Sequence, residues 1–193
     1  MRSAEFDRKQ VLRAAIAAFV TKGYSKTSMQ DLKQATGLHP GSIYCAFENK
    51  QGLLLAALEQ YNDDKSAEFQ RYFEGSDKVL DGVKQYLANT VKDCCLDGPK
   101  KSCLSQKAMS ELTEQEPLVA QTIANHMENW QNGFIEVFQQ ALNNGELLPT
   151  RTPKQRVQSL IMGIYGLRTY AQTHCEPEVL HELAQQLFDD VCR

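Results

Sequence analysis

The chain has 193 residues, 42% hydrophobic and 23% charged, with a formal net charge of −3, which is enough length for a sizeable core in one domain or two small ones. No apolar run approaches the roughly 18 residues of a membrane span, and Met1 to Arg8 lacks the apolar stretch of a signal peptide, so a cytoplasmic location is expected. The charge is unevenly placed: residues 1 to 50 hold eight Lys or Arg against four Asp or Glu, and residues 51 to 193 hold thirteen against twenty, a basic head on an acidic body that gains meaning only where a motif coincides with it.

The reading is all-α, with about nine helices. Leu12, Ala15, Ile16, Phe19 and Val20 follow the i, i+3, i+4, i+7 rule and give a first helix that ends near Lys22, with Gly23 as its stop. Thr27 then caps a short helix in a reciprocal box with Gln30, and Met29, Leu32 and Thr36 recur along one face. Gly37 ends it because glycine accepts positive φ. Leu38 follows as a buried plug, His39 takes the next N-cap and Pro40 the first helical position, where its missing amide proton costs little. Ile43 and Phe47, four apart, turn inward, which leaves His39, Gly41, Ser42, Tyr44 and Cys45 for groove or phosphate contact. Two short helices joined at a glycine and braced by a third are the layout of a helix-turn-helix.

This stretch resembles the N-terminal domain of the TetR family of transcriptional regulators. The residues that carry the resemblance are Ala18 and Phe19, then Lys22, Gly23 and Tyr24, then Thr27, Ser28, Met29, Asp31 and Leu32, then Ala35, Thr36 and Gly37, and then Gly41, Ser42, Ile43, Tyr44 and Phe47 followed by Lys50. They cover about the first fifty-five residues; the rest of the chain matches in length and helical character. Pro40 and Cys45 depart from the family pattern, where a polar or basic residue and an aromatic or histidine are frequent. The resemblance implies phosphate contact by Thr27, Ser28, Tyr44 and Lys50, helped by the start of the helix near Lys50, and places His39, Gly41 and Ser42 closest to base edges. The plain structural alternatives are that Thr27 only caps, Tyr44 only packs and Lys50 is a solvated charge.

From about Asn49, the pattern Leu53, Leu54, Ala57, Leu58 and Tyr61 starts a long helix running through Phe69 to about Phe73, joining head to body without a flexible hinge. Gly75 breaks it, after which Val79, Val83, Leu87 and Val91 mark a stripe to Cys94 or Cys95. Asp97 to Ser102 reads as a loop, and Cys103 opens a short helix to about Leu112. A further helix from Pro117 to about Asn144 sets Ile123, Met127, Trp130, Phe134, Val137, Phe138 and Ala141 on one face, with Gly145 as its stop. Thr152, Pro153 and Gln155 form a second capping box ahead of Val157, Leu160, Ile161, Ile164, Leu167 and Ala171, a stripe extending to about His174. The last helix, from Pro177, carries Leu180, Leu183, Leu187 and Val191. These two stripes either meet their counterparts in a second chain as a four-helix bundle or face the chain's own core; periodicity alone does not choose.

The expected division is a helix-turn-helix domain over residues 1 to 50 and a helical regulatory domain, for ligand binding and dimerisation, over 51 to 193. Tyr86, Met127, Trp130, Phe134, Tyr165 and Arg168 are placed to line a pocket in that second domain, against the alternative that they are ordinary core.

The six cysteines, Cys45, Cys94, Cys95, Cys103, Cys175 and Cys192, show no C-x-x-C pair and are expected as reduced thiols. Cys103 is the sensor candidate, because the dipole of its helix start, Lys100, Lys101 and Lys107 all favour the thiolate. Some TetR-like regulators have a cysteine followed by leucine at this step, as in Cys103-Leu104, and a subset senses electrophiles or oxidants there. The alternative is an inert thiol. Cys94 and Cys95, adjacent on a helix, cannot bridge to each other; either is a resolving thiol for Cys103 if the fold brings them close.

No cofactor is implied, and a metal site at His174, Cys175 and His181 fits no standard spacing. The sequence has no glycine-rich phosphate loop, no G-x-S-x-G and no paired metal-binding histidines, so no enzymatic activity is expected. The expected function is a ligand- or electrophile-responsive DNA-binding regulator, a repressor acting as a homodimer on a palindromic operator. The competing readings are a helical interaction module that binds protein instead of DNA, and an enzyme with Cys103 as nucleophile.

Overall fold

A computed structural model of the chain describes residues 6–75, 78–96, 103–112, 116–174 and 176–193. Among these are nine helices and no strand: α1 (Arg8–Lys22), α2 (Met29–Thr36), α3 (Pro40–Phe47), α4 (Lys50–Arg71), α5 (Val79–Cys95), α6 (Leu104–Leu112), α7 (Pro117–Asn143), α8 (Pro153–Tyr170) and α9 (Pro177–Cys192). They group into two compact units, Met1–Lys65 with Ser102–His126, and Ser66–Lys101 with Met127–Arg193. The first holds α1 to α3, most of α4, α6 and the start of α7. The second holds the end of α4, α5, the rest of α7, α8 and α9.

The core of the first unit follows the expected periodicity. Leu12, Ala15, Phe19 and Val20 of α1, Leu32 of α2, Ile43 and Phe47 of α3, and Leu53, Leu54, Ala57 and Leu58 of α4 are all buried. Leu38 is only half-buried. Arg13 forks onto Asp64, at 2.8 and 2.7 Å, and ties α1 to α4.

In the second unit the α8 stripe settles the question that periodicity left open. Val157, Leu160, Ile161, Ile164, Leu167 and Ala171 are buried in the chain's own core together with Leu180 and Val191 of α9, while Leu183 and Leu187 are partly buried against it. Helix α8 begins as expected, with Thr152 and Gln155 exchanging cap bonds. It stops at Tyr170, earlier than the stripe suggests, where Gln172, Thr173 and His174 turn back on Thr169 and Tyr170.

Arg156 is a fully buried arginine that no sequence pattern marks. Its guanidinium donates to the carbonyls of Val191 and Arg193 at the end of α9, to Leu148 O at 2.7 Å and to Thr150 Oγ1 at 3.2 Å. One cation thereby satisfies the exposed carbonyl end of the last helix and the loop before α8. Its Nε, by contrast, is buried without a partner. Replacing it by Met keeps much of the volume but strands those acceptors, and removing one partner of such a network costs roughly 3–5 kcal/mol. Urea unfolding of Arg156→Met is expected to show a loss of that order, and a loss below about 1 kcal/mol would mean that water replaces the guanidinium.

Candidate nucleic-acid interface

The corner between α1 and α2 is built from polar ties. Gly23, at φ 81, closes α1 with its amide on Phe19 O at 2.8 Å. Thr27 is 1% exposed, and its hydroxyl donates to Gly23 O at 2.5 Å. The cap expected from Thr27 and Gln30 therefore belongs to the next residue: Ser28 is the N-cap, its Oγ accepting from the Asp31 amide at 3.1 Å while Asp31 accepts from the Ser28 amide at 2.8 Å. The reason is physical. The Thr27 methyl and hydroxyl fill the buried side of the corner, and a carboxylate at the third position both completes the box and pairs with Lys22 at 2.6 Å. The sequence carries both spellings one residue apart, Thr27-x-x-Gln30 and Ser28-x-x-Asp31. With its hydroxyl turned inward, Thr27 positions the helix; it does not present that group to a ligand.

Helix α6 is fastened to the same corner. The Lys107 ammonium donates to Val20 O and, at 3.4 Å, to Thr21 O, capping the end of α1, and Glu111 accepts from the Ser25 amide at 3.1 Å. Lys107 therefore points at α1 and not along α6 toward Cys103, as the one-turn spacing had suggested.

Gly37, at φ 72, makes the turn from α2 to α3 with its amide on Lys33 O. His39 is the exposed N-cap of α3 and makes no side-chain cap bond. Ile43 and Phe47 are buried, whereas Gly41, Ser42 and Cys45 are exposed and Tyr44 is 50% exposed. The helix thus presents His39, Gly41, Ser42, Tyr44 and Cys45 outward as one surface.

A tight γ-turn leads out of α3. Glu48 sits at φ 66 and ψ −49, and Asn49 donates to Phe47 O at 2.7 Å. Asn49 Oδ1 then caps the Gly52 amide at 2.8 Å. Any Cβ on Gly52 would run into the Phe47 carbonyl, so glycine is what lets α4 start this close to α3. The amides of Lys50 and Gln51 are first-turn amides with no acceptor inside their own helix.

Lys50 is half-buried, with its ammonium 4.3 Å from the centroid of the Tyr24 ring. Burial lowers its pKa, opposed by the carboxylates of Glu111 and Asp31. Burial also raises the Tyr24 phenol, with Glu116 adding to it. Lys26, exposed and making no hydrogen bond or ion pair among the described residues, is a further basic group on this corner that the motif does not mark.

Elsewhere, the Tyr61 hydroxyl lies 3.5 Å from Cys103 Sγ. Lys100 and Lys101 lie outside the described residues, as do the rest of the loop from Asp97 to Ser102, the residues Met1 to Glu5, and Cys175. Among the described residues no disulfide forms and no group of three metal-ligating side chains assembles. Among the described residues no helix is long and apolar enough to cross a membrane.

Five of the six residues expected around a pocket, Tyr86, Met127, Trp130, Phe134 and Tyr165, pack on one another in the second unit. Tyr86, Trp130 and Phe134 make edge-to-face or tilted pairs at 5.1 to 6.3 Å, Trp130 meets Tyr165 at 6.5 Å, and the Tyr165 hydroxyl reaches Met127 Sδ at 2.8 Å. Phe69 and Phe73, which sequence reasoning did not include, complete the cluster. Arg168 is half-buried and engaged.

Residues 11–57 match the family described as bacterial regulatory proteins, tetR family, and residues 79–187, more than half of the chain, match the tetracyclin repressor-like C-terminal domain. The chain belongs to the TetR family of bacterial regulatory proteins. This TetR-family member is a DNA-binding transcriptional regulator. Transcriptional regulator AcuR of Cereibacter sphaeroides is 23% identical over 184 residues, covering 94% of this chain and 84% of AcuR. The HTH-type transcriptional repressor ComR of Escherichia coli is 25% identical over 181 residues, covering 93% and 86%. A cysteine-substituted form of the TetR-family regulator CifR, solved with a 26-bp double-strand operator DNA, superposes with a TM-score of 0.84 at 24% identity, over 97% of this chain and 98% of CifR. At that identity the likeness to CifR establishes the fold.

The Lys22 ammonium, followed by the Ser28 amide and hydroxyl, holds the Asp31 carboxyl well below its ordinary range. A carboxylate shifted down contributes stability above its unfolded pKa of about 3.9 and loses it as pH falls through the folded value. The gap in thermal midpoint between wild type and Asp31→Asn is therefore expected to be widest near neutral pH and to close below about pH 4. A gap independent of pH would show that the capping geometry, and not the charge, matters.

Proposed function

We propose that this regulator is an effector-responsive repressor that acts in the cytoplasm as a homodimer on a two-fold symmetric operator. The observation that carries the reading is the division of α3 into a buried edge, Ile43 and Phe47, and an outward surface of His39, Gly41, Ser42 and Tyr44. In this reading α3 enters the major groove with His39, Gly41 and Ser42 nearest the base edges, and Tyr44, Ser28 and Lys50 hold phosphates. Two such heads meet successive grooves roughly 34–36 Å apart. The likeness to ComR, a transcriptional repressor, and to CifR, which is seen bound to operator DNA, supports it. A second copy has a face to meet on α8, where Met162 is 71% and Tyr170 41% exposed and Gly166 has open space beside it. These outward residues, and not the buried stripe, form the proposed contact.

Tyr44→Phe is expected to weaken operator binding roughly tenfold by removing one phosphate hydrogen bond, and Lys50→Ala to lower the slope of log affinity against log salt by about one. Gel-shift titrations at several salt concentrations read both. Unchanged affinity at fixed salt in either variant removes that residue from the phosphate set.

The effector acts either at the aromatic cluster of Tyr86, Met127, Trp130, Phe134, Tyr165 and Arg168 or at the Cys103 thiol. The position of Cys103 immediately before α6 supports the second, because Lys107 and Glu111 of the same helix hold the α1–α2 corner. A thiol-reactive electrophile is expected to release operator DNA from wild type and not from Cys103→Ser. Cys45 is exposed on α3, so Cys45→Ser is the necessary companion. Protection by Cys45→Ser in place of Cys103→Ser would mean that the reagent blocks the reading surface directly.

A further inference from the structure

The second unit carries a groove of about 580 Å³ that none of the six expected pocket residues lines, a size within the range of small-molecule sites. We propose that this groove binds a flat apolar molecule carrying one negative charge, an aromatic carboxylate or sulfonate in class. Its apolar surface comes from Ala88 and Val91 of α5, Leu96 at its C-cap and Pro177 at the start of α9. Of the ionisable side chains lining it among the described residues, Lys92 and His181 are basic and none is a carboxylate.

The helix register brings these two together. Lys84 of α5 stacks over Phe188 of α9 at 4.8 Å. Lys92 lies eight residues further along α5 and His181 seven residues back along α9, about 12 and 10 Å in the same direction for antiparallel helices. Both basic groups are exposed, and among the described residues neither makes a hydrogen bond or ion pair. The start of α9 adds to the positive end: Glu176, its N-cap, makes no side-chain cap bond, so first-turn amides remain unanswered there. Glu176 and Glu178 face solvent.

The opposite wall is held in place by a carboxylate: Tyr72 and Asn89 both donate to Glu68 Oε1 at 3.0 Å, which occupies the two donors, while Glu68 itself is not part of the groove lining. Tyr72 also meets the Tyr86 ring edge-on at 5.6 Å, so the groove and the aromatic cluster share a wall without sharing a lining. An apolar floor held by a fixed aromatic and an end formed by the Lys92 ammonium and the His181 imidazole suits an aryl anion and disfavours a cation or a sugar.

The probe is anilinonaphthalene sulfonate, titrated by its fluorescence on the isolated protein, with the uncharged N-phenylnaphthylamine as its partner. Wild type is expected to bind the sulfonate at one saturable site per chain, and Lys92→Glu to weaken it roughly tenfold or more, since charge reversal replaces an attraction by a repulsion. Ala88→Trp, which fills the floor from an exposed helix position, is expected to weaken both dyes, whereas Lys92→Glu leaves the uncharged dye unchanged. Thermal midpoints of both variants check that the fold is intact. Sulfonate binding equal to wild type in both variants overturns the proposal, as would follow if the aromatic cluster alone took up the dye. Loss in Ala88→Trp with none in Lys92→Glu overturns the anionic class.

Discussion

The corner between α1 and α2 is the point on which the reading head depends. A helix end leaves carbonyls that need donors and a helix start leaves amides that need acceptors, and here both fall within a few residues of one another. The Phe19 carbonyl is met by the Gly23 amide, the Gly23 carbonyl by Thr27, the Val20 and Thr21 carbonyls by Lys107, the Ser25 amide by Glu111 and the Ser28 amide by Asp31. Four of these five ties are made by side chains, and each fixes a direction as well as an energy. The orientation of α2, and through the Gly37 turn that of α3, follows from them. Apolar burial of Leu32, Ile43 and Phe47 drives the helices together but is non-directional, so it cannot set that orientation alone.

This division explains which parts were legible in the sequence. Apolar periodicity is a property of consecutive residues, so the buried faces of α1 to α4 and the identity of the outward residues on α3 could be read directly. Side-chain ties between distant segments have no such period. Lys107 looked like a partner for Cys103 because it lies four residues away on the same helix, yet the α1 carbonyls offered its ammonium better acceptors. Glu111 carried no signal at all. Thr27 and Ser28 show the finer limit: adjacent hydroxyl residues are equally good caps by type, and the choice fell to the one whose third neighbour is an acid.

The body shows the same limit in another form. The stripes on α8 and α9 were correctly seen as apolar, but a stripe states only that a face is covered, and the chain's own core covers this one. Buried charge was the larger blind spot. Arg156 occupies a position that a polar surface residue would fill equally well by pattern, and only the folded chain shows the carbonyls of the last helix converging on it. Tyr86, Trp130 and Phe134 meet ring to ring, as their helical spacing on α5 and α7 allows. That Phe69 and Phe73 pack against them was legible only in part, because Phe69 lay on the predicted helix while Phe73 stood at its uncertain end.

Lys50 links these two levels. With its ammonium over Tyr24 it holds a contact worth roughly 0.5–1 kcal/mol at a partly exposed site, less than a charge-assisted bond to phosphate supplies. In its proposed role Lys50 would leave the ring for a phosphate, and that ring belongs to Tyr24, which lies between Gly23 and Ser25 in the corner that α6 fastens. Movement of α6 by one hydrogen-bond length at Glu111 or Lys107 would shift the ring on which Lys50 rests while leaving the buried edge of α3 intact. Control of DNA affinity through such a shift needs no unfolding of the head, only a change in how readily one cation leaves its aromatic partner.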